Sequence, residues 1–142
     1  MSALKSTFGG KIMIDFLMPY ITWQLILAVL IAYGSGWIWY SDSVLGKTWR
    51  EQQPHRTQED FDGMGDMLIS GAISLILSTA LIIILVDAFG KHGLLLFILA
   101  ALAGMYVDNS ANGGTRKKWM IDGGYVVLQY IIIGIGLMVS SI

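Results

Sequence analysis

Eight residues of this sequence carry the groups that surface chemistry would need. Asp108, Asn109, Asn112, Arg116 and Asp122 fall within fifteen positions of one another, and Trp39, Lys47 and Trp49 close an apolar run earlier in the chain. Carboxylates, carboxamides, cations and indoles gathered on one face would make a polar pocket at a membrane surface. An enzyme acting on a lipid headgroup is one activity that face could carry, and it would rest on these acids alone. The same groups can instead form a salt-bridged scaffold tying three helices together. The scaffold is the favoured reading.

Other constellations are weaker. Glu59-Asp60-Phe61-Asp62-Gly63 with Asp66 is rich in hard oxygen ligands, but the twelve-residue calcium loop with its terminal Glu is missing. His55 and His92 fall in different connections on opposite sides and cannot share an ion. There is no Gly-rich phosphate loop, HExxH or nucleophile elbow, so no catalytic residue, metal ligand or cofactor is assigned. The absence of cysteine leaves no disulfide framework and no thiolate site.

Within the apolar runs the polar residues are few. Ser70, Ser74 and Ser78 recur every fourth position, and Ala100, Gly104 and Gly134 are the small residues of later runs. In lipid, such residues let helix backbones approach closely. A packing face is therefore preferred to the alternative, a polar lining for a permeation path. Gln24 and Gln129 are the most polar side chains well inside, and each should face protein, bonding to the other or to a substrate. No ionisable residue falls in the middle of a run, as ion-coupled carriers usually require.

The elements that must position these groups follow from composition. Of 142 residues, 55% are hydrophobic and 13% charged, against about 25% charged in soluble domains. Too few charges remain to cover a soluble core. They are also segregated, leaving charge-free stretches over residues 16–40, 67–86, 93–107 and 123–142. The first would make roughly 37 Å of helix, enough to cross a hydrocarbon core of about 30 Å. Its Tyr20 and Trp23 mark one interface, and Trp37, Trp39 and Tyr40 the other. The third is short, and continues through Asp108 and Asn109 to about residue 110. Unsatisfied backbone is costly in hydrocarbon, so each span should be helical.

The expectation is one all-α domain, an integral membrane four-helix bundle with spans at about 16–40, 67–86, 93–110 and 123–142. Residues 1–15 read as a frayed tail or an interfacial turn of helix, with no cleavable signal. Connections 41–66 and 108–122 share a side and hold six basic residues, against three on the other side. That bias places both connections in the cytoplasm and the termini outside. With a formal charge of −1 and no basic arm, no nucleic-acid partner is implied.

Trp39-Tyr40, then Leu45-Gly46-Lys47 and Trp49, resemble the signature of a bacterial membrane-protein family catalogued as domain of unknown function 1761. Ile121-Asp122-Gly123-Gly124-Tyr125 is similar to that family's later signature, an Ile-Asp dipeptide followed by a small residue and an aromatic. The chain departs where the family commonly shows Pro and Phe; Ser41-Asp42-Ser43-Val44-Leu45 stands there instead. The resemblance covers most of residues 20–142. It implies a four-span membrane protein of the bacterial cytoplasmic membrane and brings no activity with it.

The function expected is therefore non-enzymatic. The chain would act among membrane lipids by helix-helix assembly, as a homo-oligomer or a subunit of a larger membrane complex. The alternative is a small transporter or channel whose path forms between protomers.

Overall fold

The first apolar run does not fold as one helix. In the computed structural model, which describes residues 2–41, 43–53 and 64–140, α1 (Ser2–Leu17) passes into a 3-10 turn, Met18–Tyr20, before α2 (Trp23–Trp39) begins. The two arms meet at 91°. Pro19 withholds a backbone donor from the helical ladder, and Ile21 and Thr22 leave helical geometry. The Thr22 hydroxyl then caps the new helix, accepting from Leu25 N at 3.2 Å. This corrects the unbroken span expected over residues 16–40. The straight part, α2, has 17 residues, roughly 26 Å of helix.

Beyond α2 come a short α3 (Gly46–Glu51), α4 (Met64–Phe89), α5 (Lys91–Ala111) and α6 (Arg116–Ser140). No strand occurs among the described residues. Three helices, α4, α5 and α6, are long and apolar enough to cross a membrane, and the bent pair supplies up to a fourth. Only Gly90 separates α4 from α5, at φ 63°. Glycine adopts that left-handed conformation without a Cβ penalty.

The third connection is much shorter than the expected 108–122. Helix α5 runs on to Ala111, and α6 starts at Arg116, seven residues before the expected 123. The basic run Arg116-Lys117-Lys118 is thus the first turn of a helix. Cations at a helix N-terminus oppose its macrodipole, so this turn is not placed there for the helix's own stability.

The helices pack antiparallel to their neighbours: α2 against α6, α6 against α5, α5 against α4, and α4 more loosely against α2. The core is Leu25, Ala32, Leu75, Ile82, Ile83, Ile98, Tyr130 and Ile133. Outer faces are equally apolar: Leu30, Ile69, Ile76, Leu77, Leu96 and Ile135 are all more than half exposed. Helices apolar on every side suit a membrane rather than water.

Candidate functional site

Two segments eighty residues apart meet where α2 ends and α6 begins. Trp39 Nε1 donates to the Ile121 carbonyl at 3.0 Å, and the Tyr40 hydroxyl donates to Asp122 Oδ1 at 2.6 Å. The other carboxylate oxygen of Asp122 takes Lys118 Nζ at 2.9 Å, an i,i+4 pair that is mostly buried. Tyr40 stands edge-on to Trp49 and Tyr125, at centroid distances of 5.2 and 5.4 Å. Trp39 lies so close over Gly124 that a Cβ there would come within 2.9 Å of its ring.

Gly46 makes the chain reversal possible. Its amide donates to the Ser41 carbonyl at 2.8 Å, and a Cβ on it would run into the Tyr40 carbonyl. No larger residue fits without moving backbone, and α3 then carries Trp49 back beneath Tyr40. Trp39, Tyr40, Trp49, Asp122 and Tyr125 of the two family-like signatures therefore form one cluster.

A cavity of about 670 Å³ opens from this cluster into the gap between α2, α4 and α6. Its mouth holds Lys118, Asp122, Tyr40 and Trp49, with Gln53 buried beside them; Tyr125 and Gln129 lie further along α6, Ser78 and Tyr130 are buried, and Ser74 lines an exposed wall. Ser78 and Tyr130 share a hydrogen bond at 3.3 Å at the buried end. Tyr33 holds the gap's far side, donating to the Leu68 carbonyl at 2.8 Å. A second, more polar cavity of about 360 Å³ lies on the other side of Lys118 and Asp122, lined in part by Gln52, Asp108, Asn109 and Asn112.

The residues expected at the surface pocket divide accordingly. Asp108, Asn109, Asn112 and Asp122 do line one cavity, and Trp49 and Asp122 another. Trp39 packs beside them. Lys47 and Arg116 are exposed and line neither cavity. Asn109 and Asn112 also serve the turn, donating to the Thr115 and Asp108 carbonyls.

The small residues separate too. Ser74 and Ser78 line the large cavity, whereas Ser70 is exposed outside it. Ala100 and Gly104 face outward, and a Cβ on Gly104 would meet nothing. Gly134 is buried against Leu94. Gln24 lines an apolar groove with Gly136, and Gln129 reaches the Ala32 carbonyl at 3.5 Å. The two amides do not bond each other. His55 and the acidic run at residues 59–63 lie outside the described residues, as does Asp42. Among the described residues no three His, Asp or Glu side chains converge on a metal position.

Tyr40, Tyr125, Tyr130 and Lys118 line the large cavity but were not among the site residues expected from sequence. A signal was available: Lys118, Asp122, Tyr125 and Gln129 are spaced four, three and four, which is one face of a helix. Starting the fourth span at residue 123 hid that stripe.

A family model described as a protein of unknown function, DUF1761, matches residues 23–138. The match begins at the first residue of α2 and includes every part of the site, while the arm formed by α1 and its 3-10 turn falls outside. No curated protein and no solved structure matches the chain.

Proposed function

The chain belongs to the DUF1761 family, and on that premise we propose that it is a four-pass bundle of the bacterial cytoplasmic membrane that works by lateral assembly, as a homo-oligomer or within a larger complex. The side bearing Lys47 and Lys118 lies in the cytoplasm and the termini outside. The observation carrying this reading is the outer face of α5. Leu95, Leu96, Leu99 and Val107 of that helix are each more than half exposed, and Ala100 and Gly104 on it present small, open positions that allow close helix approach.

In mild detergent the chain should form a defined oligomer, measured by light scattering, that Gly104→Leu dissociates without loss of helicity. A wild-type chain that stays monomeric in both detergent and nanodiscs would sink the proposal. The large cavity favours a second reading, a small transporter with a solute path. That reading expects liposome flux lowered by Gln129→Leu, and fails if no solute of a broad panel crosses.

A further inference from the structure

The cavity between α2, α4 and α6 has an unusual charge pattern. Its described lining contains one cation and one anion, Lys118 and Asp122, 2.9 Å apart at the mouth. Each keeps unused capacity: the ammonium has three donors and each carboxylate oxygen has two acceptor sites. A guest that is only anionic would gain Lys118 and oppose Asp122; a purely cationic one would do the reverse. A headgroup with phosphate and ammonium side by side complements both. The rings of Tyr40 and Trp49 at the same mouth suit an ammonium as well.

Below the mouth the wall is mainly apolar and aromatic. Lys118 and Tyr130 are twelve residues apart on one helix, so the cavity runs about 18 Å along α6. One leaflet of a hydrocarbon core of about 30 Å is about 15 Å deep. Trp37, Gly71 and Ser74 line the cavity and are themselves exposed, giving it a side opening between α2 and α4. A chain can therefore enter from the bilayer.

We propose that this cavity binds one zwitterionic phospholipid, its phosphate on Lys118, its ammonium on Asp122 and the adjacent rings, and an acyl chain lying toward Ser78 and Tyr130. The inference rests on the four-pass reading above and is independent of assembly. Native mass spectrometry of the full chain, titrated with phosphatidylethanolamine, phosphatidylglycerol or diacylglycerol, tests it. The ethanolamine lipid should bind about fivefold more tightly than either of the others. Asp122→Asn should turn that preference toward phosphatidylglycerol, and Ser74→Leu, at an exposed position, should weaken all three by about tenfold.

Equal binding of the two phospholipids, an unchanged ratio in Asp122→Asn, or full binding by Ser74→Leu would each overturn the proposal. If Asp122→Asn does not fold, the wild-type ratio and Ser74→Leu still decide it. Carbonate washing of membranes separates the two levels: a chain stripped off by carbonate refutes the four-pass reading, whereas a retained chain without lipid preference refutes only the site.

Discussion

Helix α2 presents two contrasting contacts. Against α6 it closes tightly: a Cβ on Gly136 would come within 2.5 Å of Ala28 Cβ, and one on Gly36 within 2.6 Å of the Tyr125 hydroxyl. Against α4 it stands off, with Tyr33 reaching across to Leu68 and a cavity left between. Both neighbours are apolar helices, so hydrophobicity does not distinguish them. Side-chain size at the crossing does: glycine and alanine let backbones meet, while tyrosine and tryptophan act as struts. One seam fixes the fold and the other leaves room for a guest.

The sharpest way to break this contrast is to wedge the closed seam. Gly136→Leu should destabilise the protein by about 2–3 kcal/mol through overpacking against Ala28, read as a lower unfolding midpoint in detergent. Adding Ala28→Gly should return part of the loss, and no recovery would mean the seam is looser than drawn. Tyr125→Phe should cost about 1 kcal/mol, since its hydroxyl donates to the Ala32 carbonyl at 2.9 Å.

On the open side the effects should shrink. Tyr33→Phe removes the bond to Leu68 and should cost about 0.5–1 kcal/mol. A larger loss than for Tyr125→Phe would reverse the ranking of the two seams. Smallest of all, Ser74→Cys should leave stability within about 0.5 kcal/mol. It should nevertheless react with a lipophilic maleimide in membranes, whereas Gly136→Cys, if it folds, should not.

Much of the architecture was legible because charge-free intervals have so few physical readings. Helix type, the α4–α5 hairpin and family membership could all be read from runs, turns and the Trp39–Trp49 motif. The bend at Ile21–Thr22 was not, because Thr22 becomes a cap only once the preceding ladder has failed at Pro19. The start of α6 was missed for a related reason. Arg116, Lys117 and Lys118 look like a loop when helix is equated with hydrocarbon, yet a membrane helix can extend past the apolar core on charged turns. The cavity was half-visible: Ser74 and Ser78 are on its wall, but the struts that keep it open are aromatics on other helices. Only their three-dimensional meeting reveals it.

The right-angled arm has a mechanical consequence. In the proposed four-pass arrangement, α1 lying crosswise to α2 would act as a flange: α2 could not be drawn inward without dragging some 24 Å of helix through the headgroup layer. The insertion depth of α2 would thereby be pinned, while α4, α5 and α6 carry their own length. Were the surrounding sheet of lipid to thicken, the adjustment would fall on those three, as tilt about a helix that holds its station.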